Sequence, residues 1–148
     1  MTPLFNSSFE LSLRVVLSLS VSKVALSLDQ LLLIDFLTTY GEKFELTPTN
    51  LHGDNPFYAS ELAARRKQLP LAIKQLVLSS LIVPTQTKKG FAYLIHPDTK
   101  TLYQQFSSTY AKTYLKQSSI VQKFSENKTE AELFHYIQSH TLSKGEPL

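Results

Sequence analysis

Apolar residues fall at alternate positions from Phe9 to Val21: Phe9, Leu11, Leu13, Val15, Leu17, Leu19 and Val21. That period is a strand's. Two features favour a helix instead. Ser7 and Glu10 have the spacing of a capping box, and a strand of that length would exceed the usual range of about 3 to 10 residues. We read a helix. Ser27 with Gln30 repeats the capping-box spacing. In the segment that follows, Leu28, Leu31, Leu32 and Phe36 line one side of a helix, and Leu33, Ile34 and Leu37 line the other. A helix that is apolar on most sides lies at the centre of its core. Gly41 is placed to stop it in the left-handed conformation. Asp35 sits inside this apolar run, and a buried carboxylate needs a hydrogen-bonding partner on a neighbouring element.

Pro48, Asn50, Gly53, Asp54, Asn55 and Pro56 punctuate a loop from Glu42 to Tyr58, long enough to be functional or packed down as an Ω-loop. Ser60 is placed to cap the stretch ELAARRKQL. Pro70 then breaks or restarts the helix, and LAIKQLVLSSL continues it to about Ser80. Two helices tightly joined and followed by a hairpin give the order of a helix-turn-helix with a wing. The hairpin pairs Ile82–Thr87 with Phe91–His96 around Lys88, Lys89 and Gly90, where a positive φ suits glycine. Pro97 and Asp98 end the strand and begin a helix whose stripe is Leu102, Phe106, Tyr110 and Tyr114, extended by Val121 and Phe124. Its plain reading is helix–helix packing. Asn127 and Thr129 open a last helix. The chain therefore reads as mainly α: a winged helix-turn-helix-like domain with a small β-hairpin wing and additional C-terminal helices. We expect one domain over residues 1–140 and a flexible tail over 141–148.

Charge changes this picture more than composition does. Met1 to Glu61 carries three basic and seven acidic residues, whereas Leu62 to Pro97 carries six basic residues and no acid. Those six are Arg65, Arg66, Lys67, Lys74, Lys88 and Lys89, the candidate partner- or DNA-binding set. A local positive field attracts nucleic acid or an acidic protein surface. The plain alternative is a solvated face balanced by the acidic first third. Contacts of these residues with phosphates would be salt-sensitive and blind to sequence.

Little else suggests chemistry. There are no cysteines, which excludes disulfides, thiolate metal sites and a thiol nucleophile. Gly41, Gly53, Gly90 and Gly145 are too scattered for a phosphate-cradling loop. His135 and His140 do not share a helical face, and Glu132 with His135 makes a single Glu-x-x-His where a helical di-iron site uses two plus further carboxylates. No serine sits in a strand–turn–helix elbow. We expect no catalytic residues, cofactor or metal. Arg14, Lys23, Asp29 and Asp35 interrupt the apolar stretch from Leu11 to Leu37, so no run reaches the ~18 to 20 residues of a spanning helix. With no positive charge before Glu10 there is no signal-peptide n-region, and a soluble cytoplasmic protein is expected.

Taken in order, FNSSFELSLRVVLSL, ALSLDQLLLIDFLTTYG, NLHGDNPFYASELAARR, LVLSSLIV and GFAY resemble the small middle component of ABC-three-component systems, the group containing Lamassu-type defence complexes. Leu28, Asp29, Leu32 and Asp35 match one motif of that family, Leu51 and His52 another, and Arg65 with Arg66 a third. The resemblance spans roughly Phe5 to Tyr114. Phe36 stands where the family usually has tyrosine, Gly53 where proline is common, and Pro70 interrupts the segment after Arg66. The resemblance favours helix over strand for Glu10 to Val21. It implies a non-catalytic accessory subunit with two partners, an SMC-like ABC ATPase and a nuclease-type effector. The subunit would dock on the ATPase head or coiled coil and help hold the effector inactive until foreign DNA is sensed. Within such a complex, sequence-nonspecific DNA is a further expected partner, and a membrane is not. The competing expectation is a stand-alone winged-helix DNA-binding regulator.

Overall fold

The most apolar segment of the chain forms the central helix. The computed structural model describes residues 7–54, 57–104 and 108–143. Helices α1 (Ser8–Ser20), α2 (Leu28–Thr39) and α3 (Tyr58–Leu78) are followed by strands β1 (Ile82–Thr87) and β2 (Gly90–Ile95). Helices α4 (Pro97–Gln104), α5 (Thr109–Ser125) and α6 (Glu130–Ser143) complete the chain. Every residue from Leu31 to Thr39 is buried, and α2 packs against α1, α3, α5, α6 and β2. Its start is fixed by a complete capping box: Ser27 Oγ accepts from the Gln30 N–H at 3.1 Å, and Gln30 Oε1 accepts from the Ser27 N–H at 2.9 Å. Phe36 is fully buried and meets Tyr40, Phe44 and Tyr58 ring to ring at 5.3, 5.6 and 6.4 Å. Truncating such a side chain to alanine costs about 3–5 kcal/mol.

The first segment is a helix, capped by Ser7, whose hydroxyl accepts from the Glu10 N–H at 3.2 Å. Its strand-like alternation has a packing cause. From Arg14 to Ser20 every residue is buried, so the serines between the apolar residues face protein as well: Ser20 closes its hydroxyl on the Leu17 carbonyl at 2.7 Å, and Ser18 meets the Tyr114 hydroxyl at 3.0 Å.

Gly41 does not act as expected. It lies outside the positive-φ region; the helix ends at Tyr40, and glycine is required because a β-carbon at 41 would overlap the Thr47 side chain. The loop beyond is packed down, as expected of an Ω-loop. Phe44 is buried, its carbonyl accepts from the Tyr136 hydroxyl at 2.5 Å, and Gln117 of α5 donates to the carbonyls of Thr38 and Thr49 at 3.0 and 3.1 Å.

Pro70 corrects a second expectation. It neither breaks nor restarts a helix: α3 is continuous from Tyr58 to Leu78, with Pro70 inside. Proline removes the hydrogen bond to the Arg66 carbonyl, but both residues are exposed, where an unmade backbone bond costs less than in the core. On the inner side of α3 Leu62, Leu69, Ala72, Ile73 and Leu76 are buried and hold the two halves in line. Ser60 lies in the first turn and is not the cap; Phe57 occupies that position without a side-chain bond. At the other end Ser80 takes a positive φ of 58°. The Leu81 N–H bonds the Leu76 carbonyl and the Ser80 N–H bonds the Val77 carbonyl, both at 3.0 Å, a Schellman stop that turns the chain into the hairpin.

The strands pair antiparallel from Ile82↔Ile95 to Thr87↔Gly90, and Gly90 has the positive φ expected of it, 115°. Leu26 adds a bridge on the far side of β2, exchanging both backbone bonds with Tyr93 at 2.8 and 3.0 Å. The arrangement, mainly helical with a two-stranded hairpin after a helix, is compatible with a winged helix. Beyond it the expected single long helix is two, α4 ending at Gln104 and α5 beginning after Ser108, whose hydroxyl accepts from the Ala111 N–H at 3.1 Å. Phe106 and the side chain of Leu102 lie outside the described residues. Thr129 and Glu132 form a capping box for α6, which runs to Ser143 with Thr141 buried. Residues 141–143 thus belong to the helix, and 144–148 lie outside the described residues.

Candidate partner-binding surface

Of the two consecutive arginines of the candidate set, one is buried and the other exposed. Successive residues on a helix are about 100° apart, and Arg65 shares the inner stripe with Leu62 and Leu69. It is fully buried, at 0% exposure, so it leaves the surface set. Its Nη1 donates to Asp35 Oδ2 at 2.9 Å and to Thr39 Oγ1 at 2.8 Å. Nε and Nη2 donate to Glu61 Oε1 at 3.3 and 3.2 Å, and Nη2 meets His52 Nδ1 at 3.2 Å. The guanidinium also lies 5.2 Å from the Tyr40 ring centre.

Asp35 has the partners that its place in an apolar helix demanded. Besides Arg65, Arg14 of α1 donates to its two oxygens at 2.9 and 3.3 Å. The Tyr114 hydroxyl donates to Oδ1 at 2.6 Å; its one proton is thereby used, so the Ser18 hydroxyl 3.0 Å away is the donor to Tyr114. Burial by itself pushes the Asp35 carboxyl up, but the charges of Arg14 and Arg65, with the hydrogen bonds from Arg14 and Tyr114, outweigh it and hold it at about 2. For Arg14, burial works against the charge and Asp35 more than restores it. Two guanidinium charges thus face the Asp35 and Glu61 carboxylates.

Burial, then the charges of Arg14 and Arg65, press His52 down to about 3. It is therefore neutral. Arginine only donates, so Nδ1 is the acceptor from Arg65 and Nε2–H donates to the Tyr110 hydroxyl at 2.8 Å. Burial first of all raises Tyr110 to about 12. This network joins α1, α2, α3, α5 and the 42–57 loop. Asp35, His52 and Arg65 come from three separate motifs of the family resemblance, and they meet here. Their arrangement is that of a clamp. Arg14 and Tyr110 were not assigned to any site from the sequence; an arginine interrupting the apolar run of α1 was the available signal for the first.

The other five cations are exposed. Arg66, Lys67 and Lys74 fall within about 100° of one another around α3, on a face that also carries Leu71 and Leu78, 53% and 75% exposed. Arg66 pairs with Asp29 of α2 at 3.6 Å, both about half exposed, and lies 5.9 Å from the Phe134 ring centre of α6. Lys88 and Lys89 form the hairpin turn, where Thr87 Oγ1 accepts from the Lys89 N–H at 3.2 Å. Lys89 also lines a cavity of about 480 Å3 shared with the starts of α2 and α6. Among the described residues no three His, Asp or Glu side chains group as a metal site, and no helix is long and apolar enough to cross a membrane.

Neither the curated proteins nor the solved structures provide a match. The family ABC-three component (ABC-3C) system Middle Component 2 matches residues 4–146, nearly the whole chain, and the protein belongs to that family.

Proposed function

We propose that this chain is a non-catalytic bridging subunit of an SMC-like ABC ATPase complex of Lamassu type in antiviral (antiphage or anti-plasmid) defence. It works in the cytoplasm, docks on the ATPase head or coiled coil, and helps hold a nuclease-type effector inactive. Arg66, Lys67, Lys74, Lys88 and Lys89 are the docking cations, and sequence-nonspecific DNA reaches the same surface within the complex. The observation that carries this reading is the division of labour inside the family's own motifs. Asp35, His52 and Arg65 are consumed in holding four helices together, while Arg66 beside them stays exposed in a segment without acids from Leu62 to Pro97. A clamp gives the surface cations a rigid backing, which lowers the entropy cost of docking.

Co-expression with the other components of its system tests the reading. Recovery of the ATPase and the effector with this chain is expected. A lone monomer, or a homodimer that binds a defined DNA site with the nanomolar-range affinity of a specific reader, would replace it with a free winged-helix regulator.

A further inference from the structure

α3 and α6 both pack on α2, yet none of the described residues fills the space between them. It forms a groove of about 620 Å3 lined by Leu62, Ala63 and Arg66 of α3 and by Phe134, Ile137 and Thr141 of α6. Leu62 and Ile137 make a buried apolar floor, while Ala63 and Phe134 are open to solvent on the walls. The lining runs from Tyr58 to Arg66 on α3 and from Phe134 to Thr141 on α6, so the trough follows both helices for about two turns. This is the shape left when one helix is missing from a helical layer.

The rim decides the sign of what fits. Arg66 stands at the wall, and its guanidinium has five donors, of which the long contact to half-exposed Asp29 uses one side. Lys67 and Lys74 continue along the exposed face of α3. The acid of the same helix, Glu61, is turned inward onto Arg65. Asp29 is thus the carboxylate set against Arg66, and it is exposed enough to yield to a better placed one.

We propose that this groove receives an amphipathic α-helix of a partner protein, with apolar side chains at i and i+4 seated between Ala63 and Phe134 and carboxylates on its flank paired with Arg66 and Lys67. The proposal deepens the bridging reading and rests on it for the partner's identity, but the groove is tested without any complex. The full chain is titrated against two fluorescent peptides of about 15 residues, helix-stapled because isolated helices of that length are marginal. Both share the apolar i, i+4 positions; one carries glutamates on the flank and the other lysines. The glutamate peptide is expected to bind at least ~10-fold more tightly, to weaken as salt rises and screens the charges, and to lose ~10-fold or more with Ala63→Trp, which fills the groove from an exposed position. Arg66→Glu with Lys67→Glu is expected to invert the preference between the peptides. Equal binding of the two peptides, no binding, or indifference to Ala63→Trp overturns the proposal. So does a homodimer that Ala63→Trp dissolves. If the three-component complex assembles and keeps the Ala63→Trp variant, the groove proposal fails while the bridging reading stands. If no complex forms but the glutamate peptide binds as described, the bridging reading fails and the groove remains.

Discussion

Asp35→Asn removes one negative charge from a site that holds two buried guanidiniums. The amide keeps the shape but accepts through a single oxygen, and its NH2 faces donors on one side: Arg14 holds both carboxylate oxygens, Arg65 holds Oδ2, and Tyr114 holds Oδ1. Breaking a buried ion pair at one partner costs about 3–5 kcal/mol, because the remaining charge stays out of water. For a domain of this size that lowers Tm by roughly 10 °C, at about 2–4 °C per kcal/mol. The control is in the same protein. Asp29→Asn removes the carboxylate from the neighbouring Asp29–Arg66 pair, which is half exposed, and a pair of that kind contributes at most about 1 kcal/mol. Urea unfolding followed by far-UV circular dichroism, with m unchanged, measures both. The reasoning is refuted if Asp35→Asn costs less than Asp29→Asn, or if the two are equal.

Further consequences concern His52, Pro70 and the arginine pair. His52 is depressed from its ordinary 6.5 to about 3 in the fold, so the unfolded chain binds the extra proton. Stability is full above about pH 6.5 and falls by ~1.4 kcal/mol per pH unit below it; Asp35, held at about 2, adds a further loss below about pH 4. In His52→Gln, whose amide can accept from Arg65 and donate to Tyr110, the slope between pH 6.5 and 4.5 is expected to flatten, and an unchanged slope contradicts the assignment. Pro70→Ala restores the bond to the Arg66 carbonyl on an exposed helix face, and is expected to raise stability by about 2 kcal/mol, the helix-interior penalty of proline less its effect on the unfolded chain; a loss of stability would show that proline is needed there. Arg65→Met is expected to cost several kcal/mol as the buried carboxylate loses a cation, whereas Arg66→Met changes the unfolding midpoint little, and thermal melts of the two variants decide it.

Much of this was legible from residue patterns, and the misses have identifiable causes. The caps of α1 and α2, the hairpin's place in the chain and the need for a partner at Asp35 follow from local chemistry that tertiary packing did not override, although the second strand runs Gly90–Ile95, one residue earlier than the pattern suggested. Pro70 misled because proline's penalty was taken as decisive; five buried apolar residues on the inner side of α3 outweigh one exposed carbonyl. Arg65 misled because charge was taken to mean surface. The whole stripe Tyr58, Leu62, Leu69, Ala72 and Leu76, in steps of three and four, passes through Arg65, and Asp35 was already in want of a partner. The division between α4 and α5 was hidden by the four-residue spacing of Leu102, Phe106, Tyr110 and Tyr114 in the sequence, with Ser108 as the cap that opens α5. The α3–α6 groove had no local signal, since its walls lie about 70 residues apart in the chain.

In the proposed function the exposed cations dock a partner, while buried Arg65 holds the fold. The measurement is recovery of the ATPase and effector by a variant with Arg66, Lys67, Lys74, Lys88 and Lys89 reversed to glutamate, alongside its DNA affinity as a function of salt. A folded variant that no longer assembles is expected. Assembly that survives the reversal intact, with only DNA affinity lost, would contradict it.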